Sequence, residues 1–269
     1  MVAASQGDRV SPSEEVLVTC REHVCEIRLN RPEKRNALTS NMYEALVDAF
    51  TEAEGDGEVR VILLSGEGAC FTGGNDLKDF LNAPEVIGAG HVISRFLSAL
   101  SGASKILIAA VHGPTVGIGV TLLLHCDLVI AAARSTRLIT PFVQLGVVPE
   151  AASTLLLPQL LGHQRAAEMF FLGEPVDAKT AKEWGLVNRV VDDEALMEEA
   201  RRLAAAVARQ PPGAVRATKS LMRSAQAAQV AALMSEELRE FAARLRMPEF
   251  AAAAQAFFGK PTSRSGGGT

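Results

Sequence analysis

Three short segments of this chain carry residue types that could do acid–base chemistry on a carbonyl compound. Phe71-Thr72-Gly73-Gly74-Asn75-Asp76-Leu77 and His112-Gly113-Pro114-Thr115-Val116-Gly117-Ile118-Gly119 are glycine-rich turns placed where helices open. Backbone N–H groups at a helix start have no partner within the helix, so such turns can receive a developing negative charge. The third segment, Leu145-Gly146-Val147-Val148-Pro149-Glu150, sets one carboxylate in an almost wholly apolar run. Desolvation there raises a carboxyl pKa towards the range useful for a base near neutrality. Two amide-lined turns and one buried acid point to an enzyme that forms an enolate.

The elements that must position these segments are legible from periodicity. Val16–Thr19 and Val24–Leu29 read as strands of a hairpin separated by Arg21-Glu22-His23. A helix capped by Thr39 or Ser40 presents Tyr43, Leu46, Val47 and Phe50 on one face and ends at Gly55. Val59–Leu64 is a wholly or nearly apolar run, as expected of a strand buried on both faces. Ile106–Val111 repeats that grammar, followed by a turn, a helix near 115–125 and a strand from Leu128 to Ala132. From about residue 177 the pattern is almost entirely helical. Leu196, Ala200, Leu203 and Val207 share one face, and Pro211-Pro212 closes one helix and opens the next. Leu238, Phe241 and Leu245 mark another stripe, and Phe250, Ala253, Ala254 and Phe257 align after Pro248.

Composition narrows the class. The chain has 269 residues, 48% of them hydrophobic and 22% charged, with a net charge of −4. That is an ordinary soluble globular balance, and it argues against a general nucleic-acid binder. Cys20, Cys25, Cys70 and Cys126 form no CxxC pair, so reduced thiols in a cytoplasmic protein are expected. Residues 106–133 are apolar but interrupted by His112, Pro114, His125 and Asp127, which excludes a clean membrane span. The first fifteen residues carry no apolar signal core, and the terminal Arg-Ser-Gly-Gly-Gly-Thr is not a peroxisomal address. The five histidines never take a metal-ligand spacing such as HExxH, and the glycines around 113–119 match neither a P-loop nor GxGxxG. His112 reads as structural, Asp76 and Asp127 as hydrogen-bonding their own turns, and Asn75 as able to cap a helix through its side chain. Arg201, Arg202, Arg209, Arg216, Lys219 and Arg223 read as a solvated helix face.

Asn30-Arg31-Pro32, Asn36-Ala37-Leu38, Phe71-x-x-Gly74-x-Asp76-Leu77, Gly113-Pro114-x-x-Gly117 and Cys126-Asp127-Leu128, in this order, resemble the crotonase (enoyl-CoA hydratase/isomerase) superfamily from Val16 to about Lys260. The resemblance implies a crotonase-like α/β spiral of ββα units over residues 1–200, a C-terminal helical region over 201–260 and a disordered tail over 261–269. It implies an acyl-CoA substrate, with the backbone N–H groups of Asn75 and Ile118 as an oxyanion hole. Lys34, Arg35, Lys78 and Lys260 become candidates for the CoA phosphates. Gly73, Gly74, Asp76, Leu77, Gly117 and Phe142 become candidates for the substrate pocket. No metal or redox cofactor is implied, since coenzyme A arrives with the substrate, and the assembly implied is a homotrimer or a dimer of trimers.

The acids divide the family. Hydratases of this kind carry one glutamate five residues before the Cys-Asp pair, where this chain has Thr121, and another four residues before the next turn's glycine, where it has Phe142. Glu150 stands instead after Pro149, and Thr140-Pro141-Phe142, Leu145-Gly146 and Pro149-Glu150 are similar to the peroxisomal-type Δ3,Δ2-enoyl-CoA isomerases. The expectation is therefore a single-base isomerase of unsaturated fatty-acid β-oxidation. A hydratase with atypical acids and a non-catalytic acyl-CoA-binding homologue remain the alternatives. Glu150 could also be an ordinary acid in the first turn of the following helix.

Overall fold

The computed structural model describes residues 13–78 and 90–259, with side chains described to residue 256. Lys260, the 261–269 tail and Phe257's place on its stripe therefore lie outside the described side chains.

A hairpin starts the main sheet: β1 (Val16–Arg21) and β2 (Val24–Leu29) pair antiparallel. Its turn has two residues, not three, because Glu22 and His23 both take positive φ, at 48° and 70°. This left-handed pair matches the twist of the strands it joins. The register sets Cys20 opposite Cys25, with Cα atoms 4.0 Å apart and the sulfurs joined as a disulfide. That corrects the expectation of reduced thiols for these two. Cross-strand register, and not CxxC spacing, brings them together, while Cys70 and Cys126 are free.

Four parallel strands extend the sheet, namely β3 (Val61–Gly66), β4 (Ile106–Val111), β6 (Leu128–Ala132) and β9 (Arg189–Val191), in the order β1-β2-β3-β4-β6-β9. Alternation along these strands divides the core. Ile62, Leu64, Leu107, Ala109, Val129 and Ala131 face α1 (Ser40–Gly55) and α2 (Val92–Gly102). Val61, Leu63, Ile106, Ile108, Ala110, Ile130 and Ala132 face the other way, where α7 (Leu196–Ala208) covers them with Leu196, Ala200, Leu203 and Ala204. Both faces are dry, as the unbroken apolar runs require. Thr39 caps α1 by accepting the Met42 N–H at 3.2 Å, and Tyr43 and Phe50 lie buried against Phe96 of α2.

A second sheet of three short strands carries the site turns: β5 (Pro114–Val116), β7 (Arg137–Ile139) and β8 (Val176–Asp177), in the order β5-β7-β8. The chain alternates between the sheets, β4 to β5 and β6 to β7, which is the repeated ββα winding. The helix expected near 115–125 is shorter than that: α3 spans Ile118–Thr121 and tightens into a 3₁₀ turn over Leu122–His125. After β7 come α4 (Ser153–Leu161), α5 (His163–Leu172), β8 and α6 (Ala178–Trp184). The chain beyond residue 177 is not strand-free, because β9 completes the main sheet beside β6. Three residues are too few for a period of two to show.

Three further helices follow: α8 (Pro212–Ser224), α9 (Ala227–Leu245) and α10 (Pro248–Gly259). Lys219 and Arg223 of α8 are not part of a solvated face. Lys219 is only 4% exposed and donates to Asp127 Oδ2 at 2.7 Å and to the Lys105 carbonyl at 2.6 Å. Arg223 pairs with Asp127 Oδ1 at 3.2 Å. Asp127 thus anchors a distant helix, besides accepting the Leu107 N–H at 2.8 Å, and does not serve only its own turn. The remaining arginines behave as expected, with Arg201 paired to Glu26 and Arg202 to Glu199 at the surface. Among the described residues no helix is long and apolar enough to cross a membrane.

Removing the carboxylate of Asp127 would leave the Lys219 ammonium buried without its counter-charge. Asp127→Ala is expected to lower unfolding free energy by about 3–5 kcal/mol, measured by urea denaturation at neutral pH.

Candidate active site

The first site turn is held by side chains that replace a sheet. Asn36, fully buried with φ +52°, donates through Nδ2 to the carbonyls of Glu67 (2.9 Å), Cys70 (2.8 Å) and Phe71 (3.2 Å). Its Oδ1 accepts the Arg31 N–H at 2.8 Å. Asparagine is among the few residues that take a left-handed backbone without large cost. Thr72 donates to the Asn36 carbonyl at 2.7 Å and accepts the Gly74 N–H at 3.1 Å, and Gly73 donates to the Arg35 carbonyl at 2.7 Å. Leu38 then bridges to the chain around Asn75: Leu38 N–H meets the Gly74 carbonyl at 2.8 Å, and Asp76 N–H meets the Leu38 carbonyl at 2.9 Å. In extended backbone successive N–H groups alternate sides, so the Asn75 N–H faces away from Leu38. It donates no hydrogen bond among the described residues.

The second turn packs directly on the first. Val116 donates to the Thr72 carbonyl at 3.0 Å, and a Cβ on Gly74, at φ +89°, would stand 2.9 Å from the Val116 carbonyl oxygen. Only glycine fits there. Gly117, with φ +55° and ψ −116°, donates to the Ile139 carbonyl at 2.9 Å and opens α3. Its own carbonyl takes the N–H groups of Val120 (2.8 Å) and Thr121 (3.1 Å). The Ile118 N–H is left at the helix start and donates to nothing among the described residues, while its side chain is buried in the core. The structure therefore brings two unengaged amides onto adjoining turns.

Glu150 comes to the same place from the third segment. It is 2% exposed and lies before α4, not in its first turn; the Ser153 N–H meets its carbonyl at 3.2 Å. Oε1 accepts from the Thr121 hydroxyl at 2.7 Å, and Oε2 has no hydrogen-bond partner among the described residues. Burial pushes the carboxyl pKa up to about 8; the Thr121 bond works against this, and the nearby charge of Glu237 adds to it. Ala151 and Ala152, which follow, take φ of +65° and +54°. Left-handed alanines cost about 1–2 kcal/mol each, so the surroundings must enforce this turn. Tyr43 reaches in from α1. Its hydroxyl donates to Asn75 Oδ1 at 2.5 Å, and burial, then the charge of Glu150, holds its pKa well above the usual phenol value. The Asn75 side chain, which could also have served as a helix cap, is engaged by Tyr43.

Phe142 is buried, with its ring 3.9 Å from where a Cβ of Gly117 would be and edge-on to Phe170. Leu77 is half-buried against the main core. Asp76 holds its own turn through the Lys78 N–H (3.0 Å), as expected, and also pairs with Arg31 at 2.9 Å. Lys34, Arg35 and Lys78 are exposed, with Arg35 on the loop that receives Gly73. His112 is structural, its Nε2 2.9 Å from the Gly68 carbonyl. Sequence reading missed Tyr43 and Glu237 as site neighbours, and took Thr121 only as the place of an absent hydratase glutamate, not as the partner of Glu150. Tyr43 and Glu237 lie in amphipathic helices, and their patterns showed only burial.

Residues 19–263 match the family described as enoyl-CoA hydratase/isomerase. Across 265 residues the chain is 33% identical to the peroxisomal enoyl-CoA delta isomerase 3 of Mus musculus, covering 95% of this chain and 83% of that protein. It is 36% identical over 220 residues to 1,2-epoxyphenylacetyl-CoA isomerase of Escherichia coli K12, covering 78% of this chain and 82% of that one. The solved structure of Pseudomonas aeruginosa OdaA superposes with a TM-score of 0.89 at 42% identity, covering 92% of this chain and all of that one. The two-sheet spiral is the crotonase fold, and the site sits on its glycine turns. The chain belongs to the enoyl-CoA hydratase/isomerase family and is an enzyme of that family.

A carboxyl whose folded pKa lies above its unfolded value binds more protons in the folded state, so its ionisation erodes stability as pH rises from about 4.5 to about 8. Glu150→Gln keeps the Thr121 hydrogen bond and cannot ionise. Its thermal midpoint relative to wild type is expected to climb between pH 5 and pH 8.5, measured by calorimetry; a constant difference would refute the buried ionisation.

Proposed function

We propose that this enzyme is a Δ3,Δ2-enoyl-CoA isomerase that uses Glu150 as its only proton carrier. The observation that carries this reading is the buried Glu150 carboxylate, with one oxygen tied to Thr121 and the other without a partner among the described residues, whereas the nearby Glu237 has both oxygens engaged. Hydration needs a water oriented and deprotonated, work for which two acids are suited. Here Thr121 spends its hydroxyl on Glu150, and Phe142 offers only ring carbons. Moving a double bond needs one base that takes a proton and gives it back.

In this reading Glu150 Oε2 removes a proton from C2 of a 3-enoyl-CoA. The C–H electron pair flows towards the thioester oxygen, giving a dienolate while Glu150 becomes the neutral acid. The N–H groups of Asn75 and Ile118 receive the oxygen's charge, and one such donor is worth about 3–4 kcal/mol in the transition state. The acid then returns the proton to C4, leaving the double bond between C2 and C3. Burial serves both halves, since a carboxyl with pKa about 8 gives up and regains a proton with little penalty near neutrality. Gly73, Gly74, Asp76, Leu77, Gly117 and Phe142 frame the acyl thioester, and Lys34, Arg35 and Lys78 supply exposed cations for the CoA phosphates. The relatives named enoyl-CoA delta isomerase support the same choice. A homotrimer or dimer of trimers belongs to this reading too, and the exposed Leu221 and Met222 of α8 leave apolar surface for such an assembly.

Wild type is expected to convert 3-hexenoyl-CoA rapidly and to hydrate crotonyl-CoA poorly. Glu150→Gln should lose about 10²–10⁴ in isomerisation. Hydration that survives in Glu150→Gln, or a wild type inert towards 3-hexenoyl-CoA, would refute the assignment. The working form is the carboxylate, so kcat/KM should rise about tenfold per pH unit below pH 8 and level off above it.

A further inference from the structure

We propose that Glu237, on α9, is a positioning residue for Glu150: its carboxylate clamps the left-handed turn Ala151-Ala152 and so fixes the direction in which the acid points. The inference rests on the reading of Glu150 as the base. Glu237 is 5% exposed, among Met234, Leu238 and Phe241 of an otherwise apolar stripe. Three donors satisfy it, all from the chain just after Glu150. Ala152 N–H meets Oε2 at 2.6 Å, and Thr154 gives its N–H (3.0 Å) and its hydroxyl (2.6 Å) to Oε1. None is cationic; burial pushes the Glu237 carboxyl above its ordinary range, and these three hydrogen bonds work against that.

That turn needs holding. Two successive alanines with positive φ persist only where the surroundings over-determine them. The second constraint is His125, whose Nε2 lies 2.7 Å from the Ala151 carbonyl. A carbonyl can only accept, so that nitrogen carries the hydrogen, and burial keeps the ring neutral by lowering its pKa to about 4. Glu237 and His125 thus grip the two ends of one peptide group, the Ala152 N–H and the Ala151 carbonyl, which point in opposite directions across a trans amide. If Ala152 relaxed to a right-handed backbone, the chain entering from Glu150 would rotate and its bond to Thr121 would break.

Glu237 is not a second proton carrier, because both of its oxygens are occupied by the turn. It acts on the chemistry through geometry and through its charge. The titratable groups packed about Glu150 are Tyr43 from α1, His125 from the 3₁₀ turn and Glu237 from α9. Tyr43 and His125 are neutral near pH 7, whereas Glu237 brings a like charge that disfavours ionisation of Glu150.

The test is Glu237→Gln in the full chain, which keeps the side chain's size and removes the charge and one acceptor. With 3-hexenoyl-CoA, kcat per folded molecule is expected to fall about 10- to 100-fold, with KM little changed. The Glu150 carboxyl, identified as the infrared band lost in Glu150→Gln, should titrate at lower pH in Glu237→Gln than in wild type. Adding Ala152→Gly, which takes a left-handed backbone freely, should restore part of kcat. If Glu237→Gln does not fold, Thr154→Val removes only the hydroxyl donor and should give a several-fold fall in kcat. Wild-type kcat and an unmoved titration, with a lower thermal midpoint alone, would show that Glu237 merely binds the helix down. Were Glu150→Gln inactive while Glu237→Gln stayed normal, this inference alone would fall; turnover surviving in Glu150→Gln would overturn the base and the clamp together.

Discussion

Burying the Glu150 carboxyl takes away the solvation that a carboxylate depends on, and a single hydroxyl from Thr121 replaces it. The resulting pKa, about 8, records that imbalance. Such a group is useful only if its surroundings cannot relax to rehydrate it or to supply another donor. Much of the architecture near the site serves that condition. Gly74 is pressed against the Val116 carbonyl, Asn36 fastens one loop to three carbonyls of another, and Tyr43 closes over Asn75 from the main core.

The two sheets divide the labour. The main sheet is dry on both faces and fixes where β4 and β6 end. Each of those strands is followed by a short strand of the second sheet, so the turns at Gly117 and before Phe142 stand side by side through the β5–β7 pairing. Backbone amides make sense as anion donors in such a frame, because their direction is set by ladder hydrogen bonds and needs no side-chain ordering. Asn75 and Ile118 are the positions where, among the described residues, the ladder and the helix leave a backbone donor over.

Local signals in the sequence carried most of this. β4 and β6 were legible to the residue because each is an unbroken apolar run, and α1 because its cap and its stripe agree. Gly74, Gly117 and Glu150 stood out by composition alone. What escaped was either short or long-range. β8 and β9 have two and three residues, too few for periodicity. The pairing of Cys20 with Cys25 depends on register across a turn. Asp127 resembled a turn-holding aspartate until α8 folded back to bring Lys219 and Arg223 to it. Glu237 is the clearest case: an acid in an apolar stripe is an anomaly in the pattern, but its partners lie more than eighty residues earlier.

The C-terminal helices consequently do more than cover the core. α9 holds the backbone just after Glu150 through Glu237, and the start of α10 presses on the turn just before it, where a Cβ on Gly146 would come within 3.0 Å of the Glu249–Phe250 backbone. The segment bearing the acid is therefore gripped at both ends by residues about a hundred positions later in the chain. Met234, Leu238, Phe241 and Leu245 of α9 and Phe250 of α10 also belong to the main core, so the helices that hold this segment close the core beside it. The distal helices are thus built into the surroundings of Glu150, and under the proposed single-base reading they would fix the approach of its one proton carrier, with no second acid to compensate for a misdirected one.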